Sequence, residues 1–216
     1  MTRASSLDDY EKFAKDKMTW KDEWISVIFS DEKTFNLDGP GGLKSYWHDL
    51  RTEKKIFSKR NFGGGTVMVW GAFNFNGVLP IVKISSSMNS SNYVQVLHEN
   101  LIPNAEKYAG NDWTFQQDND VVHVSKETKK FFTENSVNLL DWPSCSPDLN
   151  PIENLWGLIA RRVYHNQRQF NKVDELWTEI QNVWYNIEPD ILQNLIVSMK
   201  DRIFDVIRLN GAQTKY

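Results

Sequence analysis

Cysteine is almost absent from the 216-residue sequence, which contains only Cys145. A single cysteine excludes an internal disulfide framework and a zinc site built from clustered cysteines, and it fits a reducing compartment. No apolar run approaches the roughly 18 residues that a membrane-spanning helix needs, and the N-terminal segment lacks the apolar core of a signal peptide. We therefore expect a soluble, intracellular protein with no membrane partner.

An excess of one charge sign is also missing, because 28 Asp and Glu residues face 25 Lys and Arg residues. The composition, 40% apolar and 25% charged, is that of a globular chain and not of a disordered or polybasic one. A domain of this size buries roughly 70% of its unfolded surface and needs no metal merely to fold. A polyanion would therefore have to bind a local basic patch.

Five short runs rich in β-branched and aromatic residues are typical of strands. They lie at 24–37, 66–73, 78–84, 113–118 and 137–142. The second and third runs are joined by 74–77, whose Asn-Gly dipeptide is a strong hairpin signal.

Capping residues and helix-spaced apolar residues predict helices between and after these strands. The predicted helices cover 90–108, with an interruption near Pro103, 126–134, 151–165, 173–187 and 189–210. This order predicts an α/β domain with a ribonuclease-H-like, mixed five-stranded sheet flanked by helices. Residues 1–23 are predicted to be a linker or a lead-in helix, and residues 24–216 the domain itself.

Three acidic residues stand at informative positions. Asp31 closes the most apolar part of the first predicted strand, and Asp118 closes the fourth. A carboxylate at a strand end is a metal ligand, a helix-cap partner or simply exposed, and the residues alone leave these alternatives open. A magnesium site needs only two or three carboxylates at adjacent element ends.

Glu153 also has two interpretations. Asn150 followed by Pro151 resembles a helix N-cap with proline at the first helical position, so Glu153 would occupy the place of a capping-box glutamate. It also borders the apolar stripe of the same helix, from which it could face the edge of the sheet.

The segments around these acids resemble the Tc/mariner superfamily of DNA transposases, most closely its nematode-type Tc branch. They read Phe-Ser-Asp-Glu-Lys-Thr-Phe at 29–35, Gly-Gly-Thr-Val-Met-Val-Trp-Gly at 64–71, Gln-Gln-Asp-Asn at 116–119, Asn-Leu-Leu-Asp-Trp-Pro at 138–143 and Ser-Pro-Asp-Leu-Asn-Pro-Ile-Glu-Asn-Leu-Trp at 146–156. The resemblance covers the chain from about residue 24 to the C-terminus. The 34 residues between Asp118 and Glu153 also match the acid spacing of that branch.

The resemblance implies a DDE catalytic domain in which Asp31, Asp118 and Glu153 hold two Mg²⁺ ions, with Mn²⁺ able to substitute. It implies cleavage of transposon ends and strand transfer in cut-and-paste transposition. The implied partners are double-stranded DNA, as transposon ends and target, and a second copy of the chain in a homodimer. The implied location is the nucleus. Three clustered negative charges also suggest that replacing Asp118 by Asn stabilises the metal-free protein.

An insertion at about 39–65 separates the first two predicted strands, and its basic segment, residues 44–60, carries four more positive than negative charges. Such a charge run is either a solvated face or an arm for a DNA backbone or a partner subunit, and the family uses the corresponding loop as a clamp between subunits. The candidate DNA-binding residues here are Lys54, Lys55, Lys59 and Arg60.

Three residues after Asp118 have open roles. Asn119 and His123 either orient the loop or touch DNA. Asp120 stands where the family has a small residue. It would point toward the metals if the strand continued, or otherwise turn into solvent.

Two other functions compete with a transposase. One is a hydrolytic nuclease of the same fold, which would cut without joining. The other is a host-adopted DNA-binding or dimerisation module, against which the three intact acids argue. The 23 residues before the first predicted strand are too few for the helix-turn-helix modules of this superfamily, so we expect a catalytic fragment or a truncated copy.

Overall fold

The computed structural model of the protein describes residues 3–39, 65–212 and 214–216. Its strands are β1 (Val27–Asn36), β2 (Thr66–Asn74), β3 (Gly77–Val78), β4 (Val82–Ile84), β5 (Thr114–Gln116) and β6 (Asn138–Leu139). They form one mixed sheet in the order β3, β2, β1, β5, β6, with β4 also paired to β2. The predicted third strand is therefore split into β3 and β4, and Pro80, which has no N–H to donate to a ladder, lies between them.

The pairing pattern combines an antiparallel and a parallel half. β1 is antiparallel to β2, which is antiparallel to β3 through a two-residue turn at Phe75 and Asn76. β1 is parallel to β5, and β5 is parallel to β6. The predicted mixed sheet with its antiparallel first hairpin is confirmed.

Seven α-helices cover the sheet in the described part of the chain: α1 (Arg3–Lys17), α2 (Ser90–Val96), α3 (Ile102–Ala109), α4 (Lys126–Glu134), α5 (Pro151–Val163), α6 (Val173–Tyr185) and α7 (Pro189–Arg208). The predicted interruption near Pro103 is a π-helical turn, Leu97–Leu101, between α2 and α3. Proline cannot donate the helical hydrogen bond, so the ladder changes its spacing there. Short 3₁₀ turns occupy Asp22–Ser26 and His165–Gln167.

Side chains that alternate along β1 divide the core into two apolar clusters, one on each face of the sheet. Phe29 and Phe35 belong to the cluster that also contains buried residues of α1, α5, α6 and α7. Ile28 belongs to the cluster under α2, α3 and α4. By the same alternation, Asp31 lies on the α5 face of the sheet and Glu32 on the opposite face.

The N-terminal segment, predicted as a linker or a helix, is the helix α1, whose Tyr10, Phe13 and Ala14 are buried in the first core cluster. The insertion predicted at about 39–65, with Lys54, Lys55, Lys59 and Arg60, lies outside the described residues except at its borders. In the part of the chain that the structure describes, no helix has the length and apolarity needed to cross a membrane.

Candidate active site

Asp31 lies in the middle of β1 and not at a strand end, because β1 continues to Asn36 in register with β2. Its partner across the ladder is Gly71. On the α5 face, Trp156 donates a hydrogen bond from Nε1 to Asp31 Oδ2 at 3.1 Å. A rigid strand and a fully buried tryptophan thus fix this carboxylate.

Gly71 makes room for that tryptophan. A Cβ atom at this position would lie 2.7 Å from the Trp156 ring and 2.9 Å from the Trp184 ring, which stack on each other. Neither Gly71 nor Trp156 is predicted from the sequence as a part of the site. The signal that could have revealed Gly71 is a glycine inside an otherwise apolar strand, which often marks a close approach.

Burial and like charges together raise the pKa of Asp31. Desolvation is the largest cause, and the negative charges of Glu153, Glu32 and Asp118 add to it, so that the pKa reaches about 8. In the absence of a cation this carboxyl group is therefore mostly protonated at neutral pH. A bound cation would favour its ionised form.

Asp118 has the opposite environment. It follows the end of β5 by two residues, and its side chain is 58% exposed. Its Oδ1 lies 2.5 Å from His123 Nδ1 and accepts the backbone N–H of Asp120 at 3.0 Å. The hydrogen bond with His123 is the main cause that holds the pKa of Asp118 below its usual value.

His123 is only 5% exposed, and its ring stacks on Tyr93 with 4.2 Å between the centroids. Its Nε2 lies 3.3 Å from Glu32 Oε1, an ion-pair distance without hydrogen-bond geometry. Burial lowers the pKa of His123, but Asp118 and Glu32 outweigh that effect and raise the pKa to about 10. This placement supports the predicted role of His123 in orienting the loop after Asp118, while a contact with DNA stays a prediction.

Glu153 is in the first turn of α5, where Asn150 and Pro151 begin the helix as predicted. Asn150 Oδ1 accepts the backbone N–H of Ile152 at 3.3 Å. The Asn150 N–H, which a capping-box glutamate would bind, donates instead to Pro147 O at 3.1 Å. Glu153 Oε2 lies 3.8 Å from Lys33 Nζ, and both side chains are partly exposed. The geometry therefore favours the interpretation in which Glu153 faces the sheet.

The three acids line one cavity of about 110 Å³, here called the acid cavity. Its lining consists of Asp31, Asp118, Trp142, Cys145, Ser146, Pro147, Asn150 and Glu153. Carboxylate oxygens are the donors that Mg²⁺ prefers, so the donor set fits such an ion. Among the described residues, however, no three His, Cys, Asp or Glu side chains stand close enough to hold a metal ion in this conformation.

Asn119 and Asp120, in the loop that follows Asp118, are not among the residues that line the acid cavity. Asn119 Nδ2 donates to Trp142 O at 2.9 Å and to Ser144 Oγ at 3.3 Å, which ties this loop to the cavity wall. A contact of Asn119 with DNA stays a prediction. Asp120 is exposed, and its Oδ1 accepts the backbone N–H of Val122 at 3.0 Å. The strand does not continue to Asp120, which supports its predicted orientation into solvent.

A mixed sheet whose first strand carries one of three acids around a single cavity defines the class of ribonuclease-H-like DDE domains. The sequence matches the family described as DDE superfamily endonuclease over residues 26–177. It is 48% identical over 205 residues to the Tc3 transposase of Caenorhabditis elegans, covering 95% of this chain and 62% of that protein. It is 37% identical over 217 residues to the Tcb2 transposase of Caenorhabditis briggsae, covering 94% and 76%.

Solved structures share the fold. The Mos1 transposase in a paired-end complex with the left transposon end matches with a TM-score of 0.83 at 15% identity, over 99% of this chain and 64% of that one. The catalytic domain of the Mos1 mariner transposase matches with a TM-score of 0.75 at 12% identity, over 100% of this chain and 98% of that one. The predicted ribonuclease-H-like fold is confirmed.

The chain belongs to the DDE endonuclease superfamily, and within it to the Tc/mariner transposases. It spans less than two thirds of the length of the Tc3 transposase.

Proposed function

We propose that this chain is the catalytic domain of a DNA transposase, which cleaves transposon ends and joins them to target DNA. The observation that carries the proposal is the acid cavity, which Asp31, Asp118 and Glu153 line from three separate parts of the chain. A scaffold that only binds DNA has no need for three carboxylates around one cavity, because their mutual repulsion disfavours them unless a cation binds.

We further propose that the three acids hold two divalent ions, Mg²⁺ or Mn²⁺. The carboxylate donor set supports this, as do structures of the Mos1 catalytic domain with Mg and with Mn. When bound, such ions activate a water molecule or a DNA 3′-hydroxyl as nucleophile and stabilise the leaving oxygen.

The chain's own residues prepare this site. Trp156 fixes the orientation of Asp31, and His123 binds the Asp118 carboxylate and lowers its pKa. The mechanism requires no covalent bond between enzyme and DNA, so cleavage and joining can use the same carboxylates in turn.

The proposed partners are double-stranded DNA and a second copy of the chain, and the proposed location is the nucleus. The names of the Mos1 structures, a paired-end complex and a strand transfer complex, support DNA ends as substrate. Basic side chains of the insertion, Lys54, Lys55, Lys59 and Arg60, are proposed to contact the DNA backbone.

A strand-transfer assay tests the function. The chain is incubated with Mn²⁺, a plasmid target and a labelled duplex that ends in a free transposon 3′-hydroxyl, with Asp118→Asn as the negative control. Joined product from the wild type alone is the expected result. Cleavage without joining would identify a hydrolytic nuclease of the same fold, and binding without either reaction would identify a DNA-binding module.

A further inference from the structure

We propose that Asp148 is a positioning residue that holds Glu153 in place by fixing residues 143–150, here called the cavity loop. Cys145, Ser146, Pro147 and Asn150 of this loop line the acid cavity, and the loop leads directly into the helix that carries Glu153. The inference rests on the proposed function, since it assigns a residue that supports the same site.

The carboxylate of Asp148 is buried, and one of its oxygen atoms accepts three hydrogen bonds. Asp148 is 5% exposed, and its Oδ2 accepts hydrogen bonds from Tyr10 Oη at 2.6 Å, Thr214 N at 2.7 Å and Thr214 Oγ1 at 2.9 Å. Tyr10 belongs to α1, and Thr214 to the C-terminal segment. One oxygen atom thus joins the cavity loop to two segments near opposite ends of the sequence.

The backbone of Asp148 is held from a third direction. Arg202 of α7 is 1% exposed and donates from Nη1 to Asp148 O at 2.7 Å. Its Nη2 donates to Asn154 Oδ1 at 2.7 Å. The same guanidinium therefore binds Asp148, which precedes Glu153 in the loop, and Asn154, which directly follows Glu153 in α5. Because a guanidinium is planar and rigid, it sets the distance between these two points.

The cavity loop needs such support. Cys145 adopts a φ of 56°, a left-handed conformation that non-glycine residues keep only when their surroundings enforce it. Within the loop, Leu149 N donates to Ser146 O at 3.2 Å and Asn150 N to Pro147 O at 3.1 Å. These local turns define the shape of the loop. Asn150 Nδ2 ties its C-terminal end to β1 by donating to Ser30 O at 3.2 Å, and Asp148 ties the loop to α1, α7 and the C-terminal segment.

The hydrogen-bonded groups around Asp148 form a buried polar cluster, which differs from the apolar packing of the surrounding core. Phe13 and Ala14 already attach α1 to the first core cluster through apolar contacts. A buried carboxylate adds a desolvation cost that only well-aligned donors offset, so its main effect is to specify one geometry. The position of α1 is consequently coupled to the position of Glu153, across more than a hundred residues of sequence.

The experiment compares Tyr10→Phe, Asp148→Ala and Asp148→Asn with the wild type. Tyr10→Phe removes a single oxygen atom from a buried ring, so it stays informative if Asp148→Ala fails to fold. The amide oxygen of Asp148→Asn can still accept from Tyr10 and Thr214, which makes it the conservative variant. Leu101→Ala, a fully buried change in the second core cluster, is the control for a general loss of stability.

Three measurements are made on each protein: hydrogen exchange of the amides at 144–153 without metal, Mn²⁺ affinity by calorimetry, and urea denaturation. Asp148→Ala is expected to speed exchange in 144–153 and to weaken Mn²⁺ binding about tenfold, at the low end of losses for residues that support metal ligands. Tyr10→Phe is expected to change the exchange rate and the Mn²⁺ affinity in the same directions by roughly threefold. Asp148→Asn is expected to keep most of the Mn²⁺ affinity and exchange protection that Asp148→Ala loses. Leu101→Ala is expected to lower stability without a selective effect on either readout.

Unchanged exchange at 144–153 and unchanged Mn²⁺ affinity in Asp148→Ala or Tyr10→Phe would overturn the inference. The inference would also be overturned if Leu101→Ala changed exchange at 144–153 and Mn²⁺ affinity as much as a loop variant of the same stability. The changes would then follow from a general loss of stability and not from the loop. If the wild type binds no Mn²⁺, the proposed metal dependence fails. The exchange measurement on the metal-free protein then still decides the role of Asp148.

Discussion

Asp31 and Asp118 line the same cavity but are held in opposite ways. Asp31 lies inside β1 under a buried tryptophan, and burial with neighbouring negative charges raises its pKa to about 8. Asp118 follows the end of β5, and its hydrogen bond with His123 lowers its pKa. One aspartate is rigid and resists ionisation, whereas the other is exposed and already ionised. The comparison indicates that the proposed metal site has one carboxylate held inside a strand and one exposed carboxylate.

The largest expected effect is on catalysis. Asp31→Asn and Asp118→Asn are each predicted to lower metal-dependent DNA cleavage by roughly a thousandfold or more, because each removes a charged metal ligand. Initial rates in Mg²⁺ and in Mn²⁺ measure the loss. Asp120→Asn is the matched control, since this neighbouring carboxylate is exposed and does not line the cavity. Cleavage by either variant at the wild-type rate would show that the two aspartates are not both needed.

A second prediction tests what makes Asp31 rigid. Gly71→Ala is expected to lower the free energy of unfolding by about 1–3 kcal/mol, because the added methyl group would clash with the Trp156 ring. Gly157→Ala in α5 is the control, since the nearest side-chain atom there lies 3.7 Å from the new methyl group. Alanine in a helix with this much room should stabilise by about 0.5–1 kcal/mol. Equal effects of the two changes in urea denaturation would contradict the close packing at Gly71.

The third prediction concerns the metal-free protein and its pH dependence. The pKa of Asp31 is raised in the fold, so its ionisation costs stability increasingly as pH rises from the unfolded pKa near 4 to about 8. The free energy of unfolding of metal-free Asp31→Asn should therefore equal that of the wild type near pH 4. At pH 8 it should exceed the wild-type value by on the order of 1–3 kcal/mol.

Asp118→Asn should have the opposite sign. Its lowered pKa contributes stability above the unfolded pKa, and that contribution disappears as pH falls through the folded pKa. Because the side chain is more than half exposed, the loss at pH 7 should stay below about 1 kcal/mol. The stabilisation that the sequence suggests for Asp118→Asn is thus expected for Asp31→Asn instead. Urea denaturation in EDTA across pH 4–9 distinguishes the two variants. Changes in the free energy of unfolding that have the same sign in both variants would contradict the comparison.

The smallest effect is expected at the partly exposed pair of Lys33 and Glu153. Lys33→Met should change the free energy of unfolding by less than about 0.5 kcal/mol, since exposed ion pairs contribute little. A loss above that size in denaturation experiments would mean that Glu153 depends on Lys33 for its position.

Local sequence patterns predicted the parts of the fold that local chemistry determines. Ser125 caps α4 by accepting the Thr128 N–H, and Asn150 with Pro151 begins α5. The two capping features depend on residues within a few positions of one another, which is the range that a local sequence pattern reports. The resemblance to a family, rather than spacing alone, predicts Asp31, Asp118 and Glu153 as one group, and these three residues line one cavity.

The environments of the acids could not be predicted in this way. The bond from Trp156 to Asp31 joins residues 125 positions apart, and it depends on Gly71 in a third element. His123 was noted only as an orienting or DNA-binding residue, because nothing local shows that Glu32 reaches it from the far face of β1. Such contacts arise from the packing of helices on the sheet, and no periodicity in the sequence encodes them.

A crystal structure of the chain soaked with Mn²⁺ tests the central claim most directly. The account predicts anomalous density in the acid cavity, contacted by Asp31, Asp118 and Glu153, with Asp118 rotated away from His123 and Asp31 nearly unmoved. Manganese bound elsewhere, or a cavity without anomalous density at saturating Mn²⁺, would contradict the assignment of these three carboxylates to one metal-dependent site.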